Sequence, residues 1–194
     1  MIDTVPPLAN ISYSSLSSGN EGNEMMACNL DMNYCSSVNS TTAIAVRYKY
    51  DGSNYISEGT TTLTDCPPGS CTIIANYITD DNSKQIMYTD NQEILVYSYN
   101  NGSISLIQTI TLSQPLMRNS YSGKKMIYGP INDLIFFTTT RGSLTGMPTY
   151  MYTFDGSQYT QSNSLNYGVA GAVSYSNETQ TLIVSLEEST RLRM

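Results

Sequence analysis

The sequence predicts an all-β chain of repeated antiparallel units, and three observations lead there. Long stretches are dense in Tyr, Thr, Ile and Val, which suit a pleated, half-buried surface. Turn dipeptides such as Asp51-Gly52, Asn101-Gly102 and Asp155-Gly156 punctuate them. No window carries the sustained three-to-four apolar spacing, opened by a capping box, that marks a helix. The strands implied are short and recur at roughly 8–12 residues, the spacing of all-β folds.

The repeat is the most informative feature. Arg47-Tyr48-Lys49-Tyr50-Asp51-Gly52-Ser53, Val96-Tyr97-Ser98-Tyr99-Asn100-Asn101-Gly102-Ser103 and Met151-Tyr152-Thr153-Phe154-Asp155-Gly156-Ser157 share one layout. Each is an alternating strand running into an Asp-Gly or Asn-Gly turn, where both central residues tolerate positive φ, and another strand follows. The turn glycines are 50 and 54 residues apart. A hairpin repeated at about 50 residues has the period of a β-propeller blade.

In chain order, residues 10–16 form an outermost strand, and Met25 to Thr64 hold the first blade. After the Cys66 to Cys71 loop come strands at 72–78, 85–88, 94–99 and 103–112, one antiparallel meander with a turn at Asp80-Asp81-Asn82-Ser83. A second such period has strands at 125–128, 134–139, 150–154 and 159–165, and a third begins at 172–175, turns at Asn177 and continues at 181–186. The expectation is one β-propeller-like domain over 1–194, with blades at about 22–65, 72–113, 124–167 and 169–194 and an N-terminal strand at 9–17 able to complete the last. That makes about four four-stranded blades. A partial ring, or one completed by a second copy, stays open, and a β-sandwich or jelly roll is the alternative fold.

The segment Ile94-Leu95-Val96-Tyr97-Ser98-Tyr99, Asn101-Gly102, Gln108-Thr109-Ile110-Thr111, Gln114-Pro115 and Ser122-Gly123-Lys124-Lys125-Met126-Ile127-Tyr128 resembles the repeat of lactonase-like and surface-layer (YVTN-type) β-propellers. In those repeats a tyrosine-bearing strand, a turn, a Thr-Ile strand, a proline and a Gly-Lys-Lys-x-x-Tyr strand follow in that order. The match is clear over one repeat and faint over two others, and its motifs are structural. The signatures of WD-type blades are missing. The resemblance implies a propeller at an exterior surface or in a binding role, and it carries no active-site residue onto this chain.

Composition narrows the function. The 194 residues include 9 Lys+Arg, 16 Asp+Glu, no His and no Trp, for a formal net charge of -7 and a pI near 4.4. Without histidine, Ser-His-Asp and Cys-His nucleophiles, imidazole-ligated zinc and His acid/base chemistry are excluded. Scarce, scattered basic residues give no footprint for a nucleic-acid backbone. Charged residues are 13% of the chain, about half the usual share, while 26 Ser, 22 Thr, 17 Asn and 16 Tyr supply the polarity. No apolar run is long enough for a transmembrane helix, and Met1-Ile2-Asp3-Thr4-Val5-Pro6-Pro7 is not a signal peptide as it stands. The chain is therefore either made without one or is a processed or excised segment.

Four cysteines lie early. Cys28 and Cys35 would sit opposite each other on a hairpin turning at Asp31-Met32, and Cys66 and Cys71 bracket Pro67-Pro68-Gly69-Ser70, a loop sharp enough for disulfide reach. Free thiols and a four-thiolate zinc site are the rivals, the latter disfavoured by six residues between the first pair. Disulfides would place the chain in an oxidising compartment.

Other candidates have plain structural readings beside them. Asp51 and Asp155 could be paired carboxylates for acid/base work, but turns select Asp for its local hydrogen bonds. Asp80, Asp81, Asn82 and Asp90 offer oxygens to calcium without the spacing of a calcium loop. Sequons at Asn10, Asn39, Asn101 and Asn177 are glycosylation candidates, in about the number chance gives. Tyr48/Tyr50, Tyr97/Tyr99 and Tyr150/Tyr152 each share one strand face, suited to packing or to stacking on sugars. Lys124-Lys125 and Arg191/Arg193 read as solvated or edge-guarding. The leading expectation is a non-enzymatic module, with no cofactor, metal or nucleic acid, binding protein or glycan on an extracellular, cell or virion surface. The alternative is a lactonase- or glycoside-hydrolase-like enzyme, which needs two or more of Asp65, Asp90, Glu93 and Asp133 to converge.

Overall fold

The computed structural model describes residues 24–29, 31–79, 81–112, 126–129, 134–138, 149–165, 170–176, 179 and 181–186. Their regular elements are all strands: β1 (Glu24–Cys28), β2 (Tyr34–Asn39), β3 (Ile44–Tyr50), β4 (Tyr55–Thr62), β5 (Ile73–Ile78), β6 (Lys84–Thr89), β7 (Glu93–Asn100), β8 (Ser103–Thr111), β9 (Met126–Gly129), β10 (Leu134–Thr138), β11 (Thr149–Phe154), β12 (Tyr159–Leu165), β13 (Ala170–Ser176) and β14 (Thr181–Leu186). Three four-stranded sheets, β1-β2-β3-β4, β5-β6-β7-β8 and β9-β10-β11-β12, and a two-stranded pair, β13-β14, keep the strands in chain order. Sheet order that follows chain order is the meander expected of a blade. The strand expected at 9–17 lies outside the described residues.

The repeat extends to individual hydrogen bonds. In the first sheet Met32 N–H donates to Asn29 C=O, and Asn29 N–H to Tyr34 C=O (both 3.0 Å); in the second, Asn82 N–H donates to Thr79 C=O (2.8 Å) and Thr79 N–H to Lys84 C=O (3.1 Å). Met32 and Asn82 take positive φ, 56° and 59°, at matching positions. Likewise Leu63 N–H reaches Ala43 C=O (2.7 Å) and Leu112 N–H reaches Gln92 C=O (2.9 Å), with Ala43 and Gln92 both at positive φ. The third sheet repeats the first at its outer hairpin. A bulge interrupts the register between Arg47 and Tyr48 and, at the same place in the layout, between Met151 and Tyr152.

Two turns differ from expectation. Asn101 and Gly102 (φ 46° and 86°) both adopt the left-handed conformation expected of Asn-Gly. In Asp51-Gly52 and Asp155-Gly156 only the glycine does, at φ 100° and 102°. There Asp51 N–H and Asp155 N–H pair with Asn54 C=O and Gln158 C=O, each at 3.0 Å, so the central residues are Gly-Ser and the aspartate precedes them. Its carboxylate Oδ1 then caps the turn. The first hairpin keeps the expected Cys28-Cys35 register, but its turn is closed from Asn29 to Met32 and not by Asp31-Met32 alone.

The chain forms two compact units, Met1–Met87 with Tyr97–Leu106, and Tyr88–Val96 with Ile107–Met194. In the first unit β5 packs on β1 and β2, and Cys35, Val46 and Tyr48 form a buried cluster with Cys28, Ile44 and Tyr55 at its margin. In the second unit Tyr159 is held from both sides by one side chain: its N–H donates to Gln108 Oε1 (2.7 Å) and its C=O accepts from Gln108 Nε2 (2.8 Å). A primary amide thus imitates one rung of a β-ladder. Burial is deepest on the middle strands: every residue of β6 is buried, whereas outer β8 alternates exposed Ser103, Ser105, Ile107, Thr109 and Thr111 with more buried neighbours.

Candidate functional site

The densest polar construction in the described residues is a buried cluster around Arg47, within the first unit. Arg47 stands on β3 where the repeat otherwise has Val96 and Met151, and its side chain is only 2% exposed. Its Nη1 donates to Gln85 Oε1 (3.4 Å), and its Nη2 donates to Asn82 at both the carbonyl oxygen (3.4 Å) and Oδ1. The guanidinium carbon lies 4.2 Å from the centre of the Tyr99 ring, a cation–π contact. Nε makes no hydrogen bond. Gln85 Nε2 continues the network by donating to Ser36 Oγ (2.6 Å) and Asn76 Oδ1 (2.9 Å), and Asn76 Nδ2 donates to Ser36 C=O (3.3 Å).

Burial governs the electrostatics. It lowers the Arg47 guanidinium to about 10, against the opposing pull of Tyr99, Glu58 and Tyr34. Tyr99 Oη donates to Glu58 Oε2 (2.6 Å), the residue skipped at the β4 bulge. Burial first, and that bond second, push the Tyr99 phenol up to about 12. Burial, with the Asp65 carboxylate behind it, likewise raises Tyr97. The cluster thus holds a cation through neutral amides and an aromatic face, with its nearest carboxylate occupied by a phenol. Such an arrangement fixes β3, β4, β6 and β7 relative to each other, and it presents no nucleophile.

The turn carboxylates Asp51, Asp155 and Asp81 are engaged locally. Asp51 Oδ1 accepts from Ser53 N–H and Asn54 N–H (both 2.8 Å), and Asp155 Oδ1 accepts from Ser157 N–H (2.8 Å) and Gln158 N–H (2.9 Å). Those bonds, Asn54's and Gln158's foremost, hold both carboxyls below the usual range. For Asp81 partial burial acts to raise the carboxyl, but the hydroxyls of Thr79 and Ser83 and the Ser83 N–H outweigh it and the carboxyl is lowered. Among the described residues no three His, Cys, Asp or Glu gather closely enough to hold a metal ion. Asp80, Asp133, Lys124, Lys125, Arg191 and Arg193 lie outside the described residues.

The cysteines meet as paired. Cys28 and Cys35 are cross-strand partners with Cα atoms 4.0 Å apart, and Cys66 and Cys71 approach to 5.3 Å, each pair with sulfurs at bonding distance. Between the latter, Ser70 donates from N–H (3.0 Å) and Oγ (2.7 Å) to Pro67 C=O, which shapes the exposed Pro-Pro-Gly-Ser tip. Two sequons are described. Asn39 is half-buried, its Oδ1 accepting from Thr41 N–H (3.0 Å) and Thr42 N–H (2.9 Å), whereas Asn101 is exposed at its turn. Asn10 and Asn177 lie outside the described residues. Tyr48, Tyr97, Tyr150 and Tyr152 are buried, so these aromatic faces are used in packing. Composition and turn signals did not single out Arg47. The usable signal was a charged residue at a repeat position held elsewhere by valine and methionine.

Repeated four-stranded antiparallel meanders in chain order are the blades of a β-propeller, the class of fold this chain has. No family model and no curated sequence matches the chain. Its fold is similar to those of a 6-phosphogluconolactonase candidate from Bacteroides uniformis (TM-score 0.57, 10% identity, covering 84% of this chain and 48% of that one) and the periplasmic gluconolactonase of Pseudomonas aeruginosa (TM-score 0.53, 10%, 74% and 39%). It is also similar to Saccharomyces cerevisiae Sqt1 (TM-score 0.56, 11%, 82% and 41%). The likeness is one of fold, lactonase-like and related propellers, and the chain spans less than half the length of each of these structures.

Proposed function

We propose that the chain is a non-enzymatic binding module exposed on an extracellular, cell or virion surface, where it engages protein or glycan through loops at the strand ends. The observation that carries this is the pair of cystines, one closing a hairpin and one an exposed Pro-Pro-Gly-Ser loop, because disulfides persist in oxidising compartments. The turn carboxylates support it: Asp51 and Asp155 each commit Oδ1 to two N–H groups of their own turn. The low charge supports it too, since hydroxyls and amides suit hydrogen bonding to sugars and peptide edges. The test is binding of the secreted, disulfide-intact chain to an array of glycans and to intact cells. Saturable binding that survives moderate salt and is lost on exchanging the 66–71 loop is expected; uniform absence of binding overturns the reading.

A second reading is favoured by the lactonase structures among the fold likenesses: hydrolysis of a sugar lactone through carboxylates such as Asp65, Asp90, Glu93 and Asp133. The two readings separate on turnover of a gluconolactone, which only the second supports.

A further inference from the structure

We propose that Asn101 carries an N-linked glycan in the folded protein and that Asn39, the other described sequon, does not. The inference rests on the surface reading above, since attachment needs passage through a secretory compartment. In the transfer, Asn101 Nδ2 bonds to the anomeric carbon of a lipid-diphosphate-linked oligosaccharide, the carbon–oxygen bond to the diphosphate breaks, the lipid diphosphate leaves, and Nδ2 gives up one proton.

Three features separate the two sites. Asn101 is the first central residue of the two-residue turn between β7 and β8, exposed, with no hydrogen bond to its side chain. Its neighbour Gly102 is seated against β4: a Cβ there would stand 2.5 Å from Glu58 O, and one on Gly59 would stand 1.7 Å from Gly102 O. One side of the turn is therefore closed by backbone, the sequon's middle residue has to be glycine, and the asparagine is the part left to solvent. At the third position, Ser103 Oγ donates to Asn100 C=O (3.0 Å), a local bond that an exposed hydroxyl gives up readily to water or a partner. Asn39, by contrast, ends β2 half-buried, uses Oδ1 to close the next turn onto Thr41 and Thr42, and is followed by Ser40 at 8% exposure. A glycan on Asn39 would have to emerge against packed chain.

Placement gives the glycan a role. The turn opens β8, the terminal strand of its sheet, whose exposed row ends in Ser, Thr and Ile107 at 45% exposure. Terminal strands are templates for unwanted pairing, and a bulky hydrophilic group at the first turn blunts one.

The test is secretion of the full chain from a eukaryotic host, followed by enzymatic release of glycans in heavy-oxygen water and mass analysis of peptides, with a no-enzyme control for spontaneous Asn-Gly deamidation. The expected result is heavy-oxygen aspartate at position 101, unlabelled Asn39, a gel shift reduced in Asn101→Gln and unchanged in Asn39→Gln. Secretion with all four cysteines protected and no label at 101, or with label at 39 in its place, overturns the proposal alone. Retention with four free thiols overturns it together with the surface reading.

Discussion

Replacing Arg47 is the sharpest perturbation of the fold, because the residue is charged, buried and shared by several strands. Truncation to alanine leaves Gln85 Oε1 and the two Asn82 oxygens without their donor. The buried Gln85 acceptor costs about 1–3 kcal/mol, the half-buried Asn82 oxygens less because water reaches them, and the contact with the Tyr99 ring adds up to about 2 kcal/mol. Against these stands relief of guanidinium burial, several kcal/mol in the other direction. The partners left behind are neutral, so no unpaired charge remains; with the void that truncation opens, the balance is a loss of about 2–4 kcal/mol, and Arg47→Ala should lower the melting temperature by about 4–16 °C at about 2–4 °C per kcal/mol for a chain of this length. Arg47→Met should lose about half as much. Methionine refills the space, and Met151 already occupies the matching bulge position in the third sheet. Thermal and urea unfolding at neutral pH provide the assay. An alanine variant within about 1 kcal/mol of wild type, or a methionine variant less stable than the alanine one, would show that the Arg47 contacts do not stabilise the fold.

Gly59→Ala drives a Cβ into the Gly102 carbonyl and should cost at least about 2 kcal/mol, whereas Gly52→Ala meets open space and is limited to the strain of φ 100°, about 1–2 kcal/mol; chemical denaturation ranks them. On the acid side, Asp51, Asp155 and Asp81 have folded carboxyls below the unfolded value of 3.8. The folded chain therefore binds fewer protons there, and their stabilisation is present above pH 4 and lost as pH falls through the folded values. Melting temperatures from pH 6 to 2 should fall less steeply in Asp51→Asn with Asp155→Asn, and an unchanged slope contradicts the assignment. Reducing the two cystines, which close spans of 7 and 5 residues, should remove about 2 kcal/mol each, read as a drop in melting temperature with reductant and four newly alkylated thiols.

Much of the architecture was legible because the chain repeats itself. Tyr-rich alternation and Asn-Gly or Asp-Gly punctuation locate β7, β8, β11 and β12, and the limits of β12 and β14 coincide with those read from sequence. The Asp-Gly turns sit one residue later than the dipeptide suggests, since it does not reveal whether aspartate serves as a central residue or as the cap before it. Here the carboxylate's two backbone bonds decide it. Arg47 was illegible to pattern reading for a different reason: a charged residue on an alternating strand reads as solvent-facing, and only strands tens of residues away supply Asn82, Gln85 and Tyr99. The cystines fell between, with the Cys28-Cys35 register readable from a hairpin and the 66–71 closure readable from its prolines.

The proposed binding role is separated from the lactonase reading by gluconolactone hydrolysis followed against concentration of the purified, disulfide-intact chain, with and without added divalent metal. A rate equal to spontaneous hydrolysis at every concentration is the expected result. A rate that rises linearly with protein, and falls when Asp65 or Glu93 is neutralised, would contradict the account and establish the enzyme reading in its place.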